Sequence, residues 1–332
     1  MAVHATVAVT IVTFNSARFI AQCLRYVLQQ DYPELQVVVV DNASSDGTPE
    51  ILKQFESKVK VVYNRENVGF AGGQNQAMKL SQADWLLALN PDVRLSNDFI
   101  SVLLGAGNAD LEIGSVCGKL LGMNEDLTIP LEPVLDSTGI FFTPNLRHLD
   151  RGSQQPDQGQ YDKPEYVFGA TGAACLYRRK MMDDIALDGE YFDEDFFAYR
   201  EDADLAWRAQ LYGWKCLYTP KAVAYHVRHV LPEKRSALPA LINMHSVKNR
   251  WLMRIKNTTS DLYARHFAAI TLRDCMVIAG CLLREHSSLR GFAIVARLWR
   301  KTWAKRRVIM QKRRVSNEYM AAWFTGQSGT KD

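Results

Sequence analysis

Short apolar runs alternate with amphipathic stretches along the first third of the chain. The runs at 7–13, 35–41, 59–63 and 85–90 are rich in β-branched or large apolar residues, which predicts strands. The stretches at 16–29 and 74–80 predict helices, and Thr48-Pro49-Glu50 is a typical helix start with proline in the first turn. Strands that are apolar on both faces and alternate with helices predict an α/β fold with a mostly parallel sheet.

The pattern changes in the rest of the chain. Residues 121–163 are rich in Gly, Pro, Asp and Gln, which predicts long loops with short strands. Residues 165–177 are typical of a strand, a turn and a second strand, 201–212 of a helix, and 215–218 and 222–226 of two short strands. From residue 237 onward the pattern is helical. We therefore divide the chain into an α/β domain, residues 1–235, and a helical extension, residues 236–332.

Polar side chains follow three of the predicted strands. The strand ends carry Thr13-Phe14-Asn15, the stretch DNASSDG that begins at Asp41, and Asn90-Pro91-Asp92. In open parallel sheets ligands bind beyond the carboxyl ends of the strands, so we expect a site at this edge. Asp41 and Asp92 also fit ordinary turn chemistry. The functional alternative is that Asp41 accepts a hydrogen bond from a base or ribose and that Asp92 is an oxygen ligand for Mg²⁺ or Mn²⁺.

Three acidic residues, Glu201, Asp202 and Asp204, crowd the first turn of a predicted helix directly after a run of aromatic residues. The favourable helix dipole alone would explain them. Apolar surroundings would also raise a carboxyl pKa, which suits a general base. His226 ends a predicted strand, with His229 as its neighbouring competitor, and is either a packed side chain or a metal ligand.

The composition, 47% hydrophobic and 23% charged, is that of a folded protein. Six scattered cysteines without a CxxC pair predict reduced thiols rather than disulfides or a zinc site. The N-terminus lacks the features of a signal peptide, and no stretch reaches the roughly 18 apolar residues of a spanning helix. We therefore expect a protein on the cytoplasmic side.

The net charge of +4 is concentrated in the helical extension. Residues 284–314 contain eleven Lys or Arg residues and one acidic residue, which indicates an anionic contact surface rather than a uniformly basic nucleic-acid-binding protein. A helical stripe there contains Phe292, Val295, Trp299, Trp303 and Met310, flanked by Arg297, Arg300, Lys301, Lys305 and Arg307. This stripe either lies peripherally on an anionic membrane or packs on the α/β domain or a second subunit, as in a homodimer.

Seven segments, in order, resemble the motifs of family 2 glycosyltransferases with the GT-A fold. They are VAVTIVTFNS, VVVVDNASSDGT, NRENVGFAGGQNQAM, LLALNPDV, FGATGAACLYRR, FFAYREDADLAWRAQLYGW and AYHVRH. The resemblance extends over about residues 5–257. The following segment, HSVKNRWLMRIKN, is similar to the one that follows the catalytic domain in bacterial rhamnosyltransferase-like members.

The resemblance implies a role for each matching residue. Asp202 corresponds to the catalytic base, and Asp92 and His226 correspond to ligands of a Mg²⁺ or Mn²⁺ ion that bridges the donor diphosphate. Asp41 would bind the imide N–H of uracil or thymine. The full set implied around the donor is Thr13, Phe14, Asn15, Asp41, Asn67, Gly69, Gly73, Asn90 and Asp92, with 67–73 as a loop. The set implied around the transferred sugar or acceptor is Gly172, Ala173, Arg200 and Glu201.

The implied activity is inverting transfer of one sugar to a hydroxyl of a glycan or a polyprenyl-linked glycan. The rhamnosyltransferase-like segment favours L-rhamnose from dTDP-β-L-rhamnose. A UDP-hexose or UDP-HexNAc donor and a non-catalytic nucleotide-sugar-binding protein are the alternatives. A dinucleotide-dependent dehydrogenase is excluded because no GxGxxG follows the first predicted strand.

Two departures from the family pattern qualify this interpretation. Asn90 replaces the first Asp of the DxD motif, which removes a negative charge and weakens the expected metal affinity. Val247 stands where the Gln of the processive QxxRW signature would precede Arg250 and Trp251. Transfer of a single sugar is therefore favoured over polymer synthesis.

Overall fold

A ten-stranded sheet lies at the centre of the computed structural model, which describes residues 5–228 and 239–325. The strands are β1 (Val7–Thr13), β2 (Leu35–Asp41), β3 (Lys60–Tyr63), β4 (Trp85–Leu89), β5 (Val93–Leu95), β6 (Ile113–Gly122), β7 (Leu135–Ser137), β8 (Ile140–Phe142), β9 (His148–Asp150), β10 (Glu165–Val167), β11 (Ala174–Arg178) and β12 (Lys215–His226). The helices are α1 (Ile20–Leu28), α2 (Thr48–Lys53), α3 (Gly69–Lys79), α4 (Phe99–Gly107), α5 (Arg179–Ile185), α6 (Glu201–Leu211), α7 (Ala240–Asn257), α8 (Ser260–Arg265), α9 (Phe267–Leu283), α10 (Leu289–Lys312) and α11 (Asn317–Ala322).

The sheet is mostly parallel, as predicted. Its order is β10-β12-β6-β11-β4-β1-β2-β3, with β5 added beside β12 and β7 beside β6. The strands β3, β2, β1 and β4 are parallel neighbours, and β12 is parallel to β6. Between these groups β11 runs antiparallel to both β4 and β6. The strands β8 and β9 form a separate two-stranded sheet.

Burial of the central strands on both faces explains why their sequences are apolar without alternation. Every residue of β1 and of β4 is buried. One core cluster contains Ile20, Leu24 and Phe99 from α1 and α4. A second cluster contains Met78 of α3 and Trp207 of α6, together with side chains of the C-terminal helices. The predicted α/β layering is confirmed.

Three predicted boundaries are wrong. Helix α1 begins at Ile20 rather than at Ser16. Helix α3 begins at Gly69 rather than near residue 74, so the predicted loop at 67–73 is largely helical. Its glycines serve close packing, because a Cβ on Gly73 would lie 2.8 Å from a methyl carbon of Val12. The two strands predicted at 215–218 and 222–226 form one strand, β12, with a register irregularity between Thr219 and Val223.

The helical extension packs on the α/β domain. The predicted boundary at residue 235 lies outside the described residues, as does His229. Helix α10 lies against α7, and its Val295 and Ile309 are buried. Lys305, also buried, donates to Asp193 at 2.6 Å and to Asp195 at 2.9 Å. This part of the basic stripe therefore contacts the α/β domain, in line with the packing alternative.

Two findings bear on the expected membrane and redox properties. Within residues 5–228 and 239–325, no helix combines the length and the apolar character needed to cross a bilayer. All six cysteines, which lie in these ranges, are free thiols, and five of them are buried.

Replacing Lys305 with methionine should destabilise the protein by about 3 kcal/mol, because it removes a buried partner of two carboxylates. The matched control is Lys301→Met on the same helix, since Lys301 contacts Asp195 with a side chain that is 47% exposed. That control should cost less than about 1 kcal/mol. Urea unfolding followed by circular dichroism measures both, and equal losses would contradict the buried network.

Candidate active site

The ends of β1 and β2 form a rigid polar edge around Asp41. Thr13 Oγ1 donates to Asp41 Oδ1 at 2.7 Å, across the parallel register that pairs the two residues. The hydroxyl and the N–H of Ser44 donate to the two oxygens of the same carboxylate at 2.6 and 3.0 Å. A carboxylate has about four acceptor positions, so one remains for a ligand N–H. Asp41 is thus oriented by its own loop and by the end of β1.

The loop after β1 is tied to the loop after β2. Asn15, in a left-handed conformation with φ 51°, accepts from the N–H of Ser45 at 2.9 Å and donates its own N–H to Ser44 Oγ at 2.8 Å. Phe14 stands beside this contact with its side chain exposed. An exposed ring on a cross-linked loop is suited to stacking on a nucleotide base.

The start of α3 contacts the segment that precedes α6. Asn67 Oδ1 accepts from the N–H of Gly69 at 2.8 Å. Gly69 has a φ of +80°, and a Cβ there would lie 2.4 Å from the carbonyl oxygen of Phe197. Only glycine fits both requirements. Asn67, Gly69 and Gly73 therefore hold α3 against β1 and against the segment that precedes α6.

A cleft of about 790 Å³ contains eight of the predicted site residues. They are Asn90, Asp92, Gly172, Ala173, Arg200, Glu201, Asp202 and His226. The pairing of β4 with β11 brings two of the loops together, and the N–H of Asn90 donates to the carbonyl of Ala173 at 2.9 Å. The remaining predicted residues, Thr13, Phe14, Asn15, Asp41, Asn67, Gly69 and Gly73, do not line this cleft.

Asp92 and His226 face each other in the cleft. His226 Nε2 lies 3.5 Å from Asp92 Oδ1, and its Nδ1 lies 2.8 Å from Asp136 Oδ2. Burial disfavours the imidazolium form, but Asp136 and Asp92 outweigh it and raise the pKa of His226 to about 10. Arg228 bonds to Asp136 and donates to Asp150 at 2.7 Å. Asp136 and Arg228 were not identified from the sequence.

This pair fits one divalent cation, which would displace the proton from the Nε2 atom of His226, because only the neutral imidazole binds a metal. A carboxylate oxygen and an imidazole nitrogen that face the same space are compatible with Mn²⁺, and the contact to Asp136 fixes the ring as outer partners of metal-bound histidines do. Within the described ranges no three His, Cys, Asp or Glu residues converge on a metal position. Donor phosphate oxygens and water would therefore complete the coordination shell.

Asp202 has the properties of a general base. Its Oδ2 accepts from the N–H of Gly172 at 2.9 Å, and its Oδ1 accepts from the N–H of Ala203 at 2.7 Å. Burial raises the pKa of Asp202, while the Gly172 N–H opposes the rise. Glu201 differs, because burial and the charge of Asp202 raise its pKa well above the usual range. Two amide donors thus keep Asp202 the more readily ionised member of the pair.

The segment before α6 adopts an unusual backbone conformation. Phe197, Tyr199 and Arg200 have φ values of 65°, 71° and 72°, a region that non-glycine residues rarely adopt. Asn249 of α7, fully buried, donates through Nδ2 to the carbonyls of Phe196, Ala198 and Tyr199 at 3.0, 2.7 and 2.7 Å. Helix α7 therefore holds the backbone that leads into Asp202. The only sequence signal for this role is the segment HSVKNRWLMRIKN.

The third acid of the cluster, Asp204, is structural. It is fully buried and accepts from Lys256 Nζ at 2.9 Å and Asn257 Nδ2 at 2.7 Å. Arg208 Nε completes the set at 3.2 Å. Asp204 therefore anchors α6 to α7 and is not available to a ligand.

The raised pKa of Glu201 predicts how stability changes with pH. Its contribution to stability is fully present below the unfolded-state pKa of about 4.3 and is lost as pH rises through the folded-state pKa. Glu201→Gln should therefore gain stability relative to the wild type between about pH 5 and pH 8. Urea unfolding at both pH values, with the exposed Glu132→Gln as control, measures the difference. If Glu201→Gln changed the free energy of unfolding by the same amount at both pH values, the raised pKa of Glu201 would be wrong.

The chain is similar to known proteins in sequence and in fold. Residues 8–186, more than half of the chain, match the family model described as "Glycosyl transferase family 2". A poly-beta-1,6-N-acetyl-D-glucosamine synthase of Staphylococcus epidermidis is 21% identical over 64% of this chain, which spans only 47% of that protein. The N-acetylglucosaminyl-diphospho-decaprenol L-rhamnosyltransferase of Mycobacterium tuberculosis is 25% identical over 66% of this chain and 80% of its own length.

Among solved structures, GalNAc-T7 with UDP, GalNAc and Mn²⁺ matches with a TM-score of 0.62 and 14% identity, over 81% of this chain and 52% of that one. The structural likeness identifies the GT-A fold. The sequence match over more than half of its length shows that the chain belongs to family 2 of the glycosyl transferases.

Proposed function

We propose that the protein transfers a single sugar, with inversion, from a nucleoside diphosphate sugar to a hydroxyl of a glycan acceptor. The observation that carries the proposal is the cleft shared by Asp202 and the Asp92–His226 pair. A carboxylate with a raised pKa and a site suited to a divalent cation are the two parts that a direct displacement on a diphosphate donor requires.

In this mechanism Asp202 accepts the proton of the acceptor hydroxyl as the hydroxyl oxygen attacks the anomeric carbon. The bond from that carbon to the diphosphate oxygen breaks on the opposite face, which inverts the configuration. The N–H groups of Gly172 and Ala203 hold the carboxylate in place for this step. A divalent cation held by Asp92 and His226 would neutralise charge on the departing diphosphate.

The donor would bind from the strand-end edge into the cleft. One unused acceptor position on Asp41 suits the imide N–H of uracil or thymine, and Phe14 is placed to cover the base. We infer L-rhamnose from dTDP-β-L-rhamnose as the donor sugar. The sequence similarity to the mycobacterial rhamnosyltransferase and the rhamnosyltransferase-like segment in α7 support this choice.

A UDP-hexose or UDP-HexNAc donor is the second candidate, favoured by the similarity to the poly-N-acetylglucosamine synthase. Turnover of a panel of dTDP- and UDP-sugars separates the two donors. A non-catalytic nucleotide-sugar-binding protein is the third candidate. This candidate would be established if the protein did not accelerate the release of nucleoside diphosphate from any donor. The rate, with and without acceptor, would then equal the rate in buffer alone.

The acceptor that we infer is carried on a polyprenyl diphosphate, and the protein would contact an anionic membrane peripherally from the cytoplasmic side. The six cysteines, none of which is paired with another, suit that side. The exposed face of α9 supports the contact, because its exposed residues are apolar and none of them is charged. These are Phe267, Ala268, Ala269, Leu272, Cys275, Met276, Ile278, Ala279, Leu282 and Leu283. Trp299 and Trp303 of α10 are exposed as well.

Replacing Asp202 with asparagine should lower turnover by about 10²–10⁴-fold, because the amide cannot accept the acceptor proton. Donor binding, measured by calorimetry, should stay within a factor of about three of the wild type. Near-normal turnover with intact donor binding would rule out Asp202 as the base.

Replacing Asp92 with alanine should weaken binding of Mn²⁺ and of the nucleoside diphosphate together, each by more than about tenfold. The coupling arises because both ligands share one coordination shell. Calorimetric titrations of each ligand, alone and with the other present, measure it. Unchanged affinity for both would count against a role for Asp92 in metal binding.

The intact protein should co-sediment with vesicles that contain phosphatidylglycerol. The double variant Leu272→Glu, Met276→Glu should lose most of this binding, because it places two carboxylates on the apolar face of α9. Leu111→Glu, at an exposed leucine of the α/β domain, is the matched control. The membrane proposal fails if the wild type does not sediment or if the α9 variant sediments equally well.

A further inference from the structure

Several arginines line the wall of the cleft. The five that line it are Arg147, Arg200, Arg228, Arg250 and Arg273. Arg228 is neutralised by contacts to Asp136 and Asp150. Arg200 donates to the carbonyl of Ser246 at 3.1 Å and lies 2.9 Å from a ring nitrogen of His148. The proposed transfer reaction leaves Arg250 of α7 and Arg273 of α9 without a role.

These two guanidinium groups have unused donors inside the protein. Arg250 is 4% exposed, and its Nε has no hydrogen-bond partner in the described structure. The Nε of Arg273 is buried and has no partner there either. A buried donor left without an acceptor is costly, and an unpaired charged donor is more costly still. Both side chains line the cleft, so a ligand in the cleft can reach them.

The local charge is positive. Asp274 is the one carboxylate with which Arg250 forms an ion pair among the described contacts, at 3.3 Å, and Arg254 occupies both oxygens of that carboxylate. Burial, and after it the charge of Arg254, lower the pKa of Arg250 to about 10. Burial and the charges of Arg200, Arg147 and Arg250 likewise lower the pKa of His148 well below its usual range.

The acids that line the same cleft do not balance this charge. Asp150 is paired with Arg228, and Asp92 faces His226. Burial raises the pKa of Glu201, so this side chain is not a reliable counter-charge. Asp202 is held by backbone N–H groups and is committed to the base role. The arginine side of the cleft is therefore complementary to an anion supplied by a ligand.

The guanidinium fork matches the oxygens of a phosphate group better than it matches any neutral ligand. We propose that Arg250 and Arg273 form a subsite for the phosphate or diphosphate group of the acceptor. This inference rests on the proposed sugar transfer and names the residues that would bind the charged group of its acceptor. The donor diphosphate would lie at the Asp92–His226 pair, which is built from the ends of β4 and β12 rather than from the C-terminal helices.

The position of Arg273 favours the acceptor over the donor as the source of the anion. Arg273 belongs to α9, the helix that also exposes Leu272, Met276 and Leu283. One helix thus presents a cation to the cleft and an apolar surface to the outside. This arrangement suits a lipid whose chain stays at a membrane while its charged head group enters the cleft.

The test measures binding of farnesyl diphosphate, a soluble prenyl diphosphate, by calorimetry in the presence of saturating dTDP or UDP and Mn²⁺. Arg250→Gln and Arg273→Gln should each weaken this binding by about tenfold or more. Arg250→Lys should recover only part of the affinity, because an ammonium group lacks the planar fork. Inorganic pyrophosphate should compete with the probe, whereas farnesol should bind equally weakly to all variants.

Arg300→Gln, at an exposed arginine of α10, is the matched control and should bind farnesyl diphosphate as the wild type does. Arg273 is only partly buried, so its variant keeps the experiment informative if the Arg250 variants fail to fold. Wild-type affinity in Arg273→Gln would overturn the proposal. A loss that appears in nucleotide affinity instead would assign the arginines to the donor and overturn it equally.

The same measurement separates this inference from the proposed reaction. Asp202→Asn should bind farnesyl diphosphate with unchanged affinity, because Asp202 does not belong to the arginine subsite. If Asp202→Asn retains turnover while Arg273→Gln loses the probe, the base assignment fails and the subsite stands. If Asp202→Asn loses turnover while Arg273→Gln binds the probe normally, the reaction stands and the subsite fails.

Discussion

The buried ion network around Asp204 determines where the start of α6 lies. Asp204 has no exposed surface and receives donors from Lys256, Asn257 and Arg208. Lys256 also contacts Asp193, which in turn binds Lys305 of α10. Removing one partner of such a network leaves a buried charge uncompensated, so the alternatives to this arrangement are energetically unfavourable. The helical extension therefore helps to hold the candidate active site in place.

The position of Asp202, the proposed base, follows from this constraint. Asp202 precedes Asp204 by two residues on the same helix, and the backbone before it passes through three left-handed residues. That conformation costs free energy, which the three carbonyl contacts of Asn249 offset. On the other side of the cleft, Asp136 and Arg228 orient His226 towards Asp92. Asp202 on one side of the cleft and His226 on the other are thus each positioned by residues outside the proposed reaction.

Much of this arrangement can be predicted from local pattern. The predicted ranges 7–13 and 35–41 coincide with β1 and β2, because a buried parallel strand leaves an unmistakable apolar run. Asp92, Asp202 and His226 share a cleft because β4, α6 and β12 direct their ends to one edge. Asp41 lies on the polar edge formed by β1 and β2, and it does not line that cleft.

Other features depend on contacts that a linear pattern does not encode. Asp136 lies in a stretch that is irregular in composition, and only its contact with His226, 90 residues away, reveals its role. Asn249 acts on carbonyls that lie 50 to 53 residues earlier in the chain. The glycines at the start of α3 indicated a loop, whereas they allow a helix to approach β1 and Phe197 closely. The apolar face of α9 lies in a helix whose sequence is too short to suggest a membrane span, and only its exposure distinguishes it.

The most direct test of the account is a crystal structure with Mn²⁺ and dTDP or UDP, with the ion located by its anomalous scattering. The account predicts one Mn²⁺ ion bound by Asp92 and His226. The diphosphate of the nucleotide would lie in the cleft, and its uracil or thymine ring would lie against Phe14 and Asp41. Mn²⁺ and the nucleotide bound outside this cleft, or the diphosphate of the nucleotide seated on Arg250 and Arg273, would contradict it.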